Sequence, residues 1–179
     1  FHKADLTKSL PIEDDTFDCV VSIEVIEHVE NHFQFMRELL RVTKPGGMVI
    51  LTTPNVLSLT SRWYYFRYGF NDCAPMPLDP HLEEYWMEHL NPISAPEILY
   101  LFERFGADMV DLTTNRKRKS TWVPYLLLFP FLWLGMRIKF LRKKFGERLP
   151  LHRRHVKWML SRANLMGRIT IAVGRKRDG

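Results

Sequence analysis

The chain has 179 residues, 46% hydrophobic and 26% charged, with a net charge of +6. That length supports one domain with a real core, and the composition is that of a globular protein, which excludes a disordered or fibrous chain. Cys19 and Cys73 are far apart, which excludes a disulfide framework and fits a reducing compartment.

The first residues, Phe1-His2-Lys3-Ala4-Asp5, lack the apolar run of a secretory signal. The chain begins without Met and reads as a piece of something longer. Phe17 to Ile23 (FDCVVSI) is a short apolar run, expected to form a strand buried on both faces. Asn31 is placed to cap a helix that continues to about Thr43, with Phe35, Met36, Leu39 and Leu40 at helical spacing. Lys44-Pro45-Gly46-Gly47 ends that helix. Met48 to Thr53 is a second buried strand. Strand, helix, Pro-Gly-Gly, strand is a βαβ unit and predicts a parallel sheet.

Further along, a loop leads to an aromatic-rich helix around Ser61 to Tyr68. Residues 72–92 read as a long loop with one helical patch. Ala95 to Phe105 is an amphipathic helix stopped by Gly106, and Ala107 to Thr114 is a third strand. Arg168 to Gly174 is the last. Between the last two strands lies an insertion, residues 115–167.

Glu24, Glu27 and His28 follow directly on the first strand. In open α/β sheets, ligands bind at the carboxyl ends of the strands. If a helical turn starts at once, the three side chains share one face at i, i+3 and i+4. Two carboxylates and an imidazole suit Mg²⁺, Mn²⁺ or Zn²⁺. By spacing alone the set is also compatible with no metal, with His28 or His89 as general base.

The ordered strings Phe17-Asp18-Cys19-Val20-Val21, Glu24-Val25-Ile26-Glu27-His28-Val29, Leu39 to Gly47 and Thr53-Pro54-Asn55 resemble the class I S-adenosylmethionine-dependent methyltransferases. The likeness covers residues 1 to about 114 and resumes at 168–174. It implies a Rossmann-like doubly wound α/β fold and S-adenosylmethionine as cofactor. It also implies that Asp5 and Leu6 border the adenine, with Ile23 and Glu24 at the cofactor pocket. Against this stand plainer readings: Asp5 as a turn residue, Ile23 as strand core, Asn55 as a turn former, and His2, His32 and His81 as surface histidines. The family's glycine-rich loop lies upstream of the Asp5 segment. The chain is therefore expected to hold part of a cofactor site and to bind weakly, or not at all, by itself. The ubiquinone-pathway O-methyltransferases and the small-RNA 2′-O-methyltransferases resemble this chain at the Glu-x-x-Glu-His string. Their use of it with a later histidine implies a divalent cation held by Glu24, Glu27, His28 and His89.

Charge is divided unevenly. Residues 1–115 hold 8 Lys and Arg against 18 Asp and Glu, whereas residues 116–179 hold 18 against 2. The uncharged run from Ser120 to Met136 carries Pro124 and Pro130 and has basic residues on both flanks. It is shorter than a membrane crossing and broken by proline. With positive charge on both sides, it is expected to lie in a membrane interface, the Lys and Arg meeting anionic headgroups. A buried hairpin or a dimer contact is the plainer alternative. Arg148, Arg153, Arg154, Lys157, Trp158 and Arg162 form a second basic group suited to lipid phosphate or RNA.

The sequence thus predicts a partial methyltransferase domain (1–114), a basic, apolar insertion (115–167) and a final strand with a basic tail (168–179). The expected activity is methyl transfer to oxygen of a lipid or lipid-linked acceptor, at the cytoplasmic face of a membrane through residues 120–144. The alternatives are a metal-independent methyltransferase acting on RNA, a sugar or a small metabolite, and a non-catalytic membrane-binding remnant.

Overall fold

In a computed structural model, residues 4–6, 8–73, 81, 89, 91–141 and 149–178 are described. The expected loop over 72–92 lies largely outside them, as do Arg142, Lys143, Lys144 and Arg148. The elements run β1 (Phe17–Ile23), α1 (His32–Val42), β2 (Thr43–Pro54), α2 (Leu59–Tyr68), α3 (Ala95–Arg104) and β3 (Ala107–Thr113). They continue through α4 (Trp122–Leu141), α5 (Leu149–Met159), α6 (Arg162–Met166) and β4 (Ile169–Lys176). The strands form one α/β sheet in the order β1-β2-β4-β3.

β1 and β2 are parallel, as expected for a βαβ unit. β4 runs antiparallel to both β2 and β3, so the sheet is mixed rather than parallel throughout. The long insertion lets the chain return between strands that an α-helical crossover would have left adjacent. The carboxyl ends of β1, β2 and β3 and the start of β4 thereby share one rim, where Ile23 pairs with Thr52, Pro54 with Ile169 and Thr113 with Ile171.

Local chemistry sets the helix ends. The Asn31 side chain accepts from the Gln34 N–H at 3.0 Å and starts α1. Ser58 does the same for α2 through Ser61 N–H. Ser94 N–H donates to the Glu97 carboxylate at 2.7 Å, with Pro96 in the first turn of α3. These side chains satisfy amide groups that a helix start leaves unpaired.

The apolar faces of α1 (Met36, Leu39, Leu40) and α3 (Ile98, Leu99, Phe102) close over Val49, Leu51, Met109 and Ala172. Burial alternates along β2: Val49, Leu51 and Thr53 are covered while Met48, Ile50 and Thr52 are half-buried. Within this chain β1 lies at the edge of the sheet, and of its residues Ser22 alone is buried, so the expected burial on both faces is not seen here.

The proline-broken segment of the sequence reading is instead one continuous helix. Pro124 sits in the first turn of α4, where a backbone donor has no partner to lose, and Pro130 lies inside it on the exposed side. Tyr125, Phe129 and Leu132 dock against Leu59, Leu165 and Met166. Met136 packs against the main core, whereas much of the helix surface is exposed, including Leu127 at 65% and Phe131 at 73%. Over Lys119–Lys139 it is long and apolar enough to cross a membrane.

The two ends of the insertion are joined at a neck. Arg118 N–H donates to the Met166 carbonyl at 2.9 Å, and Arg168 N–H to the Arg116 carbonyl at 3.0 Å. Trp158 packs on the main core rather than standing free beside its arginines.

Candidate active site

β1 stops because Glu24 leaves the extended region. Its φ is 51°, a left-handed conformation uncommon outside glycine. The turn is held by its N–H, which reaches both the carbonyl and the hydroxyl of Thr52 at 3.1 Å. A single 3₁₀ turn, Ile26–His28, follows. Glu24 is thus outside the helical turn, and the expected shared face of Glu24, Glu27 and His28 does not form.

Three of the four expected ligands do converge. One ligand atom from each of Glu27, His28 and His89 lies within 4.8 Å of the others. The His28 and His89 rings meet edge to face with centroids 4.8 Å apart. Glu27 is 0% exposed. One of its oxygens accepts from the Thr53 hydroxyl at 3.0 Å, while Oε1 is buried with no hydrogen-bond partner among the described residues. Such an oxygen is costly in apolar surroundings unless something occupies its free side.

His89 is brought in by a residue the sequence reading passed over. Asn91 donates through its amide side chain to the Val29 and Glu30 carbonyls, each at 3.1 Å, and its N–H bonds the Glu27 carbonyl at 3.1 Å. The strap that carries His89 is therefore fastened to the turn that carries Glu27 and His28. His89 Nδ1 also bonds the Cys73 carbonyl. A carbonyl only accepts, so in the neutral ring Nδ1 holds the proton and Nε2 presents a lone pair.

A cavity of about 400 Å³ opens at the rim. Glu24 and Pro54 contribute the strand ends, Arg168 and Ile169 the start of β4, and Arg118 the neck. Asp72, Cys73 and His89 complete it. Arg118 pairs with the Asp72 carboxylate at 2.8 Å. Burial, with the Asp72 charge beside it, pushes the Cys73 thiol up to about 12, so it stays protonated and unreactive near neutral pH.

Ile23 stands 68% exposed at the end of β1, beside Glu24. Leu6 packs against the core edge, and Asp5 is an exposed turn residue paired with Lys8 at 3.1 Å. His32 is no surface histidine: it is half-buried, and that burial lowers its pKa. Asn55 does form a turn, its Oδ1 accepting from the Leu57 N–H at 3.1 Å, but it does more. It is buried and bonds the Asn164 carbonyl at 2.7 Å and the Gly167 carbonyl at 3.1 Å, tying the end of β2 to the neck.

Residues 1–51 match the family described as "Methyltransferase domain". A protein of Mycolicibacterium smegmatis named as a probable S-adenosylmethionine-dependent methyltransferase is 32% identical over 102 residues, 57% of this chain and 33% of its own length. Norajmaline N-methyltransferase of Rauvolfia serpentina is 46% identical over 43 residues, 24% of this chain and 15% of that protein. The chain thus spans a third or less of the length of these curated relatives. Among solved structures, an S-adenosylmethionine-dependent methyltransferase of Archaeoglobus fulgidus aligns over 98% of this chain and 66% of its own, with a TM-score of 0.52 and 13% identity. That likeness concerns the fold.

Proposed function

Because the chain belongs to the class I S-adenosylmethionine-dependent methyltransferases, we propose that it carries the acceptor side of an enzyme transferring a methyl group to an oxygen of a lipid or lipid-linked substrate. The observation that carries this reading is the convergence of His28 and His89 at the rim, where His89 lines a cavity that shares Arg118 and Arg168 with a basic cavity reaching Ser120 of the apolar α2–α4 groove.

Part of the cofactor site is proposed to come from Ile23 and Glu24 at the end of β1 together with the Asp5-Leu6 segment. Ile23 and Leu6 offer apolar surface for a purine, and Asp5 and Glu24 offer carboxylates for its polar edges and the aminoacyl end. When bound, S-adenosylmethionine supplies an electrophilic methyl group on its sulfonium. The chain itself orients the acceptor, and alignment of the reacting atoms supplies most of the acceleration. His89 Nε2 takes the proton of the acceptor hydroxyl, while the Cys73 carbonyl fixes the ring's tautomer. His28 packs edge-on to that ring and holds it in place.

A second reading is favoured by the unpartnered Oε1 of Glu27. In it, Glu27, His28 and His89 would hold a divalent cation, whose charge would lower the pKa of the acceptor hydroxyl. One carboxylate with two imidazoles suits Zn²⁺ or Mn²⁺ better than Mg²⁺.

α4 is proposed to lie on a membrane rather than cross it, because one of its stripes is already docked on α2 and α6. Trp122 and Trp133, with Arg and Lys at both ends, suit the headgroup depth of an anionic cytoplasmic face.

The test uses the protein at its full natural length with methyl-labelled S-adenosylmethionine and a membrane lipid extract. Label is expected in the organic phase, reduced about 10²- to 10⁴-fold by His89→Ala. Label confined to water-soluble products, or absent, would overturn the lipid reading. Turnover unchanged in excess chelator would end the cation reading and leave the imidazole base.

A further inference from the structure

Four cationic side chains gather at the neck. Arg116, Arg118, Lys119 and Arg168 line a single cavity of about 420 Å³, with Ser120 on its wall. Among the described residues the carboxylate that answers this group is Asp72, which Arg118 holds. Four positive charges against one negative make a patch of positive potential that attracts an anion.

The position of this cavity gives the anion a context. Arg118 and Arg168 also line the rim cavity that contains Glu24 and His89. Ser120 also lines an apolar groove of about 480 Å³ between α2 and α4, walled by Leu59, Trp63, Val123 and Leu127. The basic cavity therefore stands between the polar rim and the apolar groove, sharing walls with each.

We propose that this basic cavity binds the phosphate group of an amphiphilic acceptor, whose hydrocarbon chain lies in the α2–α4 groove and whose reacting hydroxyl reaches the rim cavity. The assignment rests on the reading that the acceptor is a lipid or lipid-linked molecule. Guanidinium groups match phosphate oxygens in a fork, and Lys119 adds a compact charge. Inorganic phosphate would gain the charge pairing but nothing from the groove. A nucleic-acid phosphate would likewise leave Leu59, Trp63, Val123 and Leu127 uncovered. Only a phosphate carried on a chain uses both features.

Calorimetric titration of the full chain with farnesyl phosphate, farnesol and inorganic phosphate, each without S-adenosylmethionine, tests this. Farnesyl phosphate is expected to bind about tenfold or more tighter than farnesol, the contribution of one or two charge-assisted hydrogen bonds. Inorganic phosphate is expected to bind far more weakly than farnesyl phosphate. The double substitution Arg168→Gln with Lys119→Gln should erase the preference for farnesyl phosphate, and Arg168→Lys with Lys119→Arg should keep it. The neck bonds of residues 116 and 168 are backbone bonds, so these exchanges leave it closed. Equal binding of farnesol and farnesyl phosphate overturns the phosphate assignment. Inorganic phosphate binding as tightly as farnesyl phosphate assigns the cavity to a free anion and overturns the lipid headgroup. A preference that survives the double Gln substitution overturns the location. Because no methyl donor is present, a protein that shows the preference without methyl transfer keeps this subsite and loses the enzyme reading. Methyl transfer to lipid without the preference does the reverse.

Discussion

The Asn55 side chain donates to the Gly167 carbonyl across 112 positions of sequence, at 3.1 Å, and to the neighbouring Asn164 carbonyl at 2.7 Å. Its own N–H bonds the Arg168 carbonyl at 3.0 Å, and its Oδ1 accepts from Leu57. One buried amide thus fixes the end of β2, the exit of the insertion and the entry of β4, the three elements that meet at the rim cavity. Asn55→Ala leaves buried carbonyls without donors, which costs about 1–3 kcal/mol for each group left unsatisfied. Loss of at least ~2 kcal/mol of unfolding free energy in urea is expected. A loss under ~0.5 kcal/mol, the range of ordinary surface changes, would show that the neck is held by its backbone bonds alone.

Glu38 and Arg41 make a pH-sensitive clamp on the segment that leads into β1. Glu38 is buried, and its carboxylate receives Arg41 at 2.8 and 3.0 Å and the Leu10 N–H at 2.8 Å. The same guanidinium reaches the Leu10 and Ile12 carbonyls and Asp14. Arg41 beside it, chiefly by hydrogen bonding, holds the Glu38 carboxyl below its ordinary value of 4.5. A depressed carboxyl pKa contributes stability that is complete above the unfolded value and is lost as pH falls through the folded one. Unfolding free energy should therefore fall as the pH is taken below 4.5, and that slope should flatten in Glu38→Gln. Parallel slopes for both proteins would remove Glu38 as the titrating group.

The sequence was legible where a local pattern decides the structure. Asn31, Ser94 with Glu97, the spacing of Phe35 to Leu40 and the stop at Gly106 each act within a few residues, and the elements they predict are present. The convergence of His89 on His28 followed from the resemblance alone, because 60 residues separate them and nothing local joins them. What escaped depends on distant partners. Cys19, Val21 and Ile23 share one bare face of β1, and an apolar run cannot announce which of its faces is covered. The antiparallel β4 follows from the return path of the insertion. Glu24 fell out of the cluster because one left-handed residue, held by Thr52, redirects the chain before the 3₁₀ turn. Asn55 and Asn91 are ordinary polar residues in sequence, and only the carbonyls they meet give them a role.

The bare side of α4 gives the membrane proposal a test independent of catalysis. Leu126 and Leu134 are exposed on α4 and line neither the docked stripe nor the α2–α4 groove, so charging them removes no core contact. Leu126→Asp with Leu134→Asp should leave the unfolding transition within ~0.5 kcal/mol of the parent, as expected for exposed positions. Co-sedimentation with vesicles containing anionic lipid should fall sharply, because each substitution exchanges buried hydrocarbon for a charge repelled by the headgroups. Undiminished pelleting would assign membrane contact to another surface. Failure of the parent chain to pellet would remove the proposal.

The core over the sheet leaves no room at Gly174. This residue of β4 pairs with Val49 on one side and Met109 on the other. A β-carbon built there would come within 2.4–2.8 Å of three atoms of the Phe102 ring, itself fully buried. The ring occupies the space where any side chain would stand, so α3 approaches the sheet this closely because that position is glycine. Gly174→Ala forces the ring off its rotamer or lifts α3, at a cost of about 1–3 kcal/mol. Phe102→Leu alone opens a cavity and is also destabilising. Together the two changes should cost less than the sum of their separate effects, because the smaller side chain frees the space that the new methyl fills. A double-mutant cycle by urea denaturation measures that coupling, expected at about 1 kcal/mol or more in favour of the pair. Additive effects would mean that the sheet, rather than Phe102, yields to the added methyl.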